Sequence, residues 1–394
     1  MTAPFKQHLI DPEICIRCYT CEMTCPIGAI HHDDNNVVVD PEACNLCMDC
    51  IPVCPTGSID EWRVVNTAYS LEEQFDWEEL PDQEDISADT QSEEGEVDEA
   101  VARLLAEAHA GAGGASKPPV SATKPVINMY NLGKPATLIV QGNYRLTDDP
   151  GHDVRHIILE TNGLPFPVLE GQSVGVIPPG TDATGAVHLP RLYSVSSPRD
   201  GERPGYHNIS LTVKREVDGV ASNYLCDLEK GSKVQVTGPF GGTFLMPNDS
   251  DARILMICTG TGSAPMRAFT MQRQRTCRND TGGMTMFFGA RTPESLPYFG
   301  PLGKVPNSLL KQHLVFSRAP DQPKQYVQDR MLAETGAVAE MLDDPATHIY
   351  ICGLKGMEDG VESALTQIAA TMGAKWAPMR AAMREAGRYH VETY

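Results

Sequence analysis

A chain of 394 residues is long enough for two or three domains and a substantial core. Its formal charge of −20 argues against nucleic acid as a partner. No run of 18 apolar residues is present, so no helix is expected to span a membrane. The opening Met1-Thr2-Ala3-Pro4-Phe5-Lys6 has no apolar signal core, so the chain reads as soluble and cytoplasmic, where thiols stay reduced.

Eight of the twelve cysteines fall within the first 54 residues, in two copies of one pattern. Cys15, Cys18, Cys21 and Cys25 are followed by Pro26, and Cys44, Cys47, Cys50 and Cys54 by Pro55. The copies are an internal repeat with a period of 29 residues. Each proline keeps its cysteine segment from running on as a helix. Three closely spaced thiolates suit a cubane cluster that takes its fourth ligand from a distance. A zinc site usually pairs one C-x2-C with a distant pair, and a disulfide framework belongs to a secretory context. The spacing resembles that of bacterial two-cluster ferredoxins. That resemblance implies two 4Fe-4S clusters with exchanged fourth ligands. Cys15, Cys18, Cys21 and Cys54 would hold one, and Cys44, Cys47, Cys50 and Cys25 the other. The clusters would supply the core that so short a module lacks.

Residues 1–65 are thus expected to form a small ferredoxin-like iron–sulfur domain, with a short strand at 36–40 and an extended segment at 58–62. Residues 66–125 read as a linker. Between Glu72 and Glu99 there are fourteen acids and no Lys or Arg, the composition of a solvated segment that could also steer a basic partner. Val97, Val101, Leu104 and Leu105 lie at helical spacing and predict a short amphipathic helix. Residues 111–119 have tether composition, flexible and then stiffened by prolines.

Residues 126–248 carry β-rich runs at 137–140, 155–159, 173–177, 209–213 and 233–236, as a barrel or sandwich does. Residues 249–394 alternate strand and helix. A buried-strand run at 253–258 precedes a glycine turn at 259–265 and a helix from Met266, and further strands fall at 284–288, 314–316 and 348–352. This predicts a parallel βαβ domain with a dinucleotide crevice at its strand ends. The Gly260-Thr261-Gly262 turn either cradles a pyrophosphate or is an ordinary structural turn. Cys226, Cys258 and Cys277 read as small buried hydrophobes.

The segment Arg191-Leu192-Tyr193-Ser194-Val195-Ser196-Ser197-Pro198 resembles the flavin motif of plant-type ferredoxin–NADP+ reductases. Residues 219–228, 238–242 and 258–265 resemble further segments of that family, as do residues 351–358 and the tail ending in Tyr394. The resemblance implies an antiparallel β-barrel FAD domain followed by a parallel βαβ NADP(H) domain, in a multidomain chain of α+β and α/β class. Arg191 would meet the FAD pyrophosphate, Tyr193 stack on the isoalloxazine, and Ser194 bond the ring edge. Val213, Lys214 and Ser222 would complete the flavin site, with helix N–H groups near Ser222 receiving phosphate. Gly260, Thr261, Gly262, Gly353 and Leu354 would bind the nicotinamide nucleotide. Ser317, Arg318, Lys324, Tyr326 and Gln328 would surround a 2′-phosphate, which needs cation and hydroxyl partners. Ser194, Cys352, Glu392 and Tyr394 would line the hydride-transfer site, with Tyr394 on the flavin face that nicotinamide must occupy. One departure stands out: residues 216–219 run straight on without the aromatic that stacks on the FAD adenine in the family.

A two-cluster ferredoxin fused ahead of a plant-type reductase resembles the reductase components (component A) of benzoyl-CoA oxygenases. This implies electron flow from NADPH through FAD and the clusters to a separate di-iron oxygenase, a benzoyl-CoA epoxidase. Other readings stay open: a ferredoxin–NADP+ reductase serving another acceptor or running toward NADPH, and a non-catalytic electron-transfer adaptor. A homodimer is compatible with the sequence.

Overall fold

The computed structural model describes residues 5–47, 49–51, 53–59, 62–65, 67–81, 103, 106, 116–181, 185–203, 205–276, 283–298, 302–320 and 323–394. The chain divides into two compact units. One is Met1–Gly95 with Thr161–Pro167 and Asp200–His207, and the other is Glu96–Glu160 with Val168–Arg199 and Asn208–Tyr394.

The first unit contains, in order, β1 (Phe5–His8), α1 (Thr20–Thr24), β2 (Ile30–His32), β3 (Val37–Val39), β4 (Trp62–Val65) and α2 (Leu71–Phe75). β1 pairs antiparallel with β4, and β2 with β3. The sequence repeat reappears in the backbone. Asp11 N donates to Ser58 O at 2.8 Å and Asp40 N to Ala29 O at 2.8 Å, so the start of each copy is tied to the end of the other. Arg17 and Leu46, one repeat apart, both take left-handed φ values of 54° and 57°, as do Gly28 and Gly57 at 64° and 74°. A left-handed non-glycine residue costs on the order of 1 kcal/mol, yet both copies adopt it at the same place in the cysteine loop. α1 stops before Pro26, as expected. Of the predicted extended segment at 58–62, Ser58 and Ile59 form a turn and Trp62 opens β4, while Asp60 and Glu61 lie outside the described residues. The Ser58 carbonyl is taken by Asp11 and its hydroxyl by the Cys54 sulfur.

Both described ends of the expected 66–125 linker are bound. α2 carries a capping box between Ser70 and Glu73. The Gln74 side-chain amide pairs with the backbone of Val39 at 2.9 and 3.2 Å. Asn36 Nδ2 donates to the carbonyls of Gln74, Phe75 and Trp77. At the far end Ser116 bonds His390 at 2.9 Å, Lys117 pairs with Glu385, and Asn248 donates to Thr123 at 2.8 Å. Composition could not show this, because each bond goes to a residue remote in sequence. The predicted helix at Val97, Val101, Leu104 and Leu105, residues 82–99 of the acidic run, and the tether residues 111–115 lie outside the described residues, as does Cys277.

The second unit opens with β5 (Ala136–Arg145), β6 (Val154–Glu160), β7 (Ser173–Ile177), β8 (Arg191–Ser194), β9 (Asn208–Lys214), α3 (Val220–Asp227) and β10 (Lys233–Phe240). These strands form an antiparallel sheet of order β8-β7-β10-β5-β6-β9. A bridge between Val195 and Leu211 and the 2.8 Å bond from Ser196 N to Ser210 O join its outer strands and close the barrel. Along β5 buried and half-buried residues alternate, the period-2 mark of a strand with one face inward. Leu138, Val140, Val174, Val176, Val234 and Val236 fill the interior at 0% exposure.

The nucleotide half comprises β11 (Arg253–Thr259), α4 (Ser263–Thr276), β12 (Met284–Ala290), β13 (Leu310–Phe316), α5 (Val327–Ala333), α6 (Thr335–Asp343), β14 (Thr347–Gly353), α7 (Lys355–Thr371), α8 (Trp376–Glu385) and β15 (Tyr389–Thr393). Its strands are all parallel, in the order β13-β12-β11-β14-β15. β14 is buried at every position, as a central strand of a parallel sheet covered on both faces must be. α4 starts at Ser263, three residues before the expected Met266, because Pro265 is tolerated in a first helical turn. β15 was not foreseen; it carries the chain's last residues into the sheet beside β14.

Candidate functional site

The repeat cysteines form two groups. Charge on Cys54 reaches Cys18 and Cys21, and charge on Cys25 reaches Cys44. Cys50 feels Cys44 and Cys47, and across the groups it also feels Cys21. A small pocket is lined by Cys25, Cys44, Cys47 and Cys50, with His8 and Asn45 as its other polar neighbours. Four thiols around one cavity suit the donor set of a cubane cluster. Among the described residues no three such side chains converge on a single-ion site, whereas a cubane spreads its ligands over separate irons. The eleven described cysteines are free thiols. Burial pushes Cys21 up to about 11 and Cys50 to about 12. Burial also opposes ionisation of Cys54, but donors at Ser58 and Thr56 outweigh it and hold the thiol down at about 7. His8 is buried and kept neutral by desolvation, its pKa pushed down to about 4, and it bonds the Ile59 carbonyl.

In the nucleotide half, strand order reverses between β11 and β14, and the crevice outside their carboxyl ends is where such sheets bind dinucleotides. Gly260, Thr261 and Gly262 form a 3-10 turn there, leading into α4. A Cβ on Gly262 would lie 2.2 Å from Cys352 O, and one on Gly353 (φ 146°) would lie 2.4 Å from Thr259 Oγ1. Only glycine lets the two strand ends meet this closely. Register pairs Cys352 with Cys258 on one side and Glu392 on the other. Burial, then Glu392, push the Cys352 thiol far up, and burial raises Glu392 to about 8. Tyr394 is 59% exposed, yet its hydroxyl bonds Thr261 Oγ1 at 2.5 Å. Burial of that hydroxyl, then Cys352, push its pKa up. Cys352, Glu392, Thr261 and Tyr394 are therefore one constellation. Leu354 N bonds Thr259 Oγ1 at 3.3 Å, while the Leu354 side chain stays exposed.

After β13 the chain loops out through Ser317 and Arg318 and returns through Lys324. Gln325 N donates to Phe316 O at 3.2 Å and closes the loop, so Ser317 and Arg318 share it with Lys324, and Tyr326 follows just beyond the closure. Lys324 Nζ lies 4.9 Å from the Tyr326 ring centre. Gln328 follows on α5 and reaches α7, where a Cβ at Gly360 would lie 2.7 Å from its amide nitrogen.

On the barrel, β8 carries Arg191, Tyr193 and Ser194, and the Val195–Leu211 bridge sets it beside β9, which ends on Val213 and Lys214. Arg191 is exposed, whereas burial raises the Tyr193 hydroxyl. Lys214 pairs with Glu216 at 2.6 Å. Gly219 is the N-cap of α3 and provides no side-chain cap, so no capping side chain takes the helix's first N–H groups. The Ser222 hydroxyl is already engaged, donating to Gly219 O at 3.2 Å and accepting from Glu216 N at 3.1 Å.

Two supporting residues were missed in the sequence. Asn143 Nδ2 donates to the carbonyls of Leu225, Cys226 and Leu228 and so anchors the C-terminal end of α3. Arg267, on α4, donates to Ser196 O at 2.7 Å and ties the nucleotide half to the barrel two residues beyond Ser194. Neither carries a local signal, because an Asn in a strand and an Arg in an otherwise apolar helix turn have no fixed partner in sequence.

A closed barrel with an open phosphate helix, beside a parallel sheet whose order reverses at a glycine turn, defines a flavin- and pyridine-nucleotide-dependent oxidoreductase. Residues 14–58 match the family described as 4Fe-4S dicluster domain, and residues 256–363 the oxidoreductase NAD-binding domain. The ferredoxin–NADP reductase of the Cyanophora paradoxa cyanelle is 39% identical over 263 residues, covering 62% of this chain and 72% of its own. That of Spirulina is 36% identical over 288 residues, covering 68% of this chain and 98% of its own. The Plasmodium falciparum ferredoxin-NADP+ reductase with 2'P-AMP superposes with a TM-score of 0.55 at 25% identity, over 68% of this chain and all of that one (100%). The chain belongs to the ferredoxin–NADP reductase family. It is an oxidoreductase that uses FAD and NADP(H), and it carries a 4Fe-4S domain as well.

Proposed function

We propose that this chain oxidises NADPH and passes the electrons, through its own ferredoxin module, to a separate di-iron oxygenase of the benzoyl-CoA 2,3-epoxidase type. The observation that carries the reading is the fusion. The Spirulina relative spans 68% of this chain, and the dicluster match at residues 14–58 supplies a one-electron carrier in the same polypeptide. When bound, FAD accepts hydride as an electron pair and gives electrons up singly, and iron–sulfur clusters carry one each.

The residues divide the work. Ser317, Arg318, Lys324 and Tyr326 hold the 2′-phosphate, a role supported by their shared loop and by the 2'P-AMP of the Plasmodium protein. Gly260, Thr261, Gly262 and Gly353 let the nucleotide backbone approach the strand ends. Tyr394 covers the nicotinamide position and swings aside, releasing its bond to Thr261. Glu392 keeps its proton at neutral pH beside Cys352, and Ser194 faces the flavin edge. Arg191, Tyr193, Val213, Lys214 and the amide end of α3 hold FAD. Cys15, Cys18, Cys21 and Cys54 take one 4Fe-4S cluster, and Cys44, Cys47, Cys50 and Cys25 the second.

The test is anaerobic mixing of the loaded protein with NADPH, followed by absorbance and EPR. Flavin bleaching with reduced-cluster signals is expected, and the epoxidase with benzoyl-CoA should then speed NADPH consumption. Flavin bleaching with silent clusters would refute the forward relay and favour flow toward NADPH. No flavin response would leave only an adaptor.

A further inference from the structure

The two cysteine groups are equivalent in spacing but not in what surrounds their sulfurs. Adding the 29-residue period aligns Thr20 with Asp49, Ile27 with Thr56, and Ala29 with Ser58. Because the fourth ligands are exchanged, the three hydroxyl residues all fall on one group. Thr20 Oγ1 donates to Cys18 Sγ at 3.4 Å. Thr56 and Ser58 hydroxyls lie 3.7 and 3.4 Å from Cys54 Sγ. A sulfur bound to iron carries no proton, so in the loaded protein both hydroxyls are the donors. The twin group has no such contact among the described residues. Its sulfurs receive a backbone donor, Ala29 N to Cys25 Sγ at 3.2 Å, and its counterpart positions hold the carboxylate of Asp49 and the apolar side chains of Ile27 and Ala29.

Solvent does not break the symmetry. Cys18 and Cys47 are both exposed, Cys21 and Cys50 both buried, and the other two pairs are intermediate. A difference that does remain is the hydrogen bonding. Reduction adds one negative charge, shared by the ligand sulfurs. Donors aimed at those sulfurs stabilise the reduced state.

We propose that Thr20, Thr56 and Ser58 set the cluster of Cys15, Cys18, Cys21 and Cys54 at a higher reduction potential than the cluster of Cys44, Cys47, Cys50 and Cys25. The first is then the resting place of an electron entering the module. The internal step moves one electron from the reduced second cluster to the oxidised first, with no bond formed or broken and no proton moved. Thr20, Thr56 and Ser58 act through the ligand sulfurs and are positioning residues. The inference rests on the two-cluster reading of the proposed function.

The experiment is a potentiometric titration of the full-length loaded protein, read by EPR, after iron analysis. About eight irons per chain are required by two 4Fe-4S clusters; about four would overturn the two-cluster reading itself, whatever the potentials. With eight, two reduction steps are expected. Ser58→Ala and Thr20→Val should each lower the higher step by about tenfold in equilibrium constant, about 59 mV for one electron, and leave the lower step in place. Ala29→Ser, which restores the missing hydroxyl in the twin, should raise the lower step and keeps the test alive if an alanine or valine variant loses its cluster. A single common step in the parent, or variants that move the wrong step or neither, would overturn the inference.

Discussion

Gly262→Ala tests the claim that the nucleotide crevice depends on two strand ends meeting without side chains. The added Cβ would lie 2.2 Å from Cys352 O, 2.5 Å from Cys352 C and 2.8 Å from Gly353 Cα. All three atoms are backbone, so no rotamer relieves the clash. Ordinary contact begins near 3.4 Å, so the strand end must retreat by more than 1 Å. Overpacking of this kind costs about 1–3 kcal/mol. At about 2–4 °C per kcal/mol for a body of this size, melting should fall by up to about 10 °C. The moved atoms belong to Cys352 and Gly353, so the damage reaches the reaction. A displacement of about 1 Å can cost about a hundredfold in rate. Thermal melts and NADPH-driven ferricyanide reduction read both effects. Gly336→Ala is the control: it lies in α6 with nothing within 4 Å of the new Cβ, and should stabilise by about 0.4–1 kcal/mol with turnover unchanged. A Gly262→Ala protein that melts and turns over like the parent would refute the packing argument.

Three further outcomes are expected. Glu392 has an ordinary carboxyl value of 4.5 when unfolded and about 8 when folded, so the unfolded state sheds its proton first and stability falls as pH rises between them. Glu392→Gln should flatten that decline, worth up to a few kcal/mol, and remove a transition near pH 8 from the rate profile; denaturant melts showing the same slope in both proteins would rule this out. Arg318→Ala should weaken NADPH by about 10–100-fold, the worth of charge-assisted bonds, and leave NADH nearly untouched; equal losses in KM would remove the 2′-phosphate site from that loop. Asn143→Ala strips the donor from three carbonyls at the end of α3, at about 1–3 kcal/mol, and should loosen FAD by about tenfold as read by release of fluorescent flavin; unchanged FAD affinity would mean that α3 does not carry the pyrophosphate.

The cysteine spacing by itself announced the iron–sulfur module, because metal ligation constrains residues a few positions apart and such constraints are written locally. The same holds for the strand runs at 173–177 and 253–258 and for the glycine turn after β11, where backbone conformation limits which residues can stand. The segments from Arg191 to Tyr394 that resemble the reductase family likewise pointed to its fold. What lay hidden was every relation made by long-range closure. β8 joined β9 through Val195 and Leu211, β15 entered the sheet beside β14, and the described ends of the expected linker were held by Gln74 and Ser116. The sequence shows Thr20, Thr56 and Ser58 as three scattered hydroxyls. Only the interlocked repeat brings Cys54 back to the group of Cys18 and Cys21, and so gathers all three onto one set of sulfurs. A side chain's chemistry is local, but its partner is chosen by the fold.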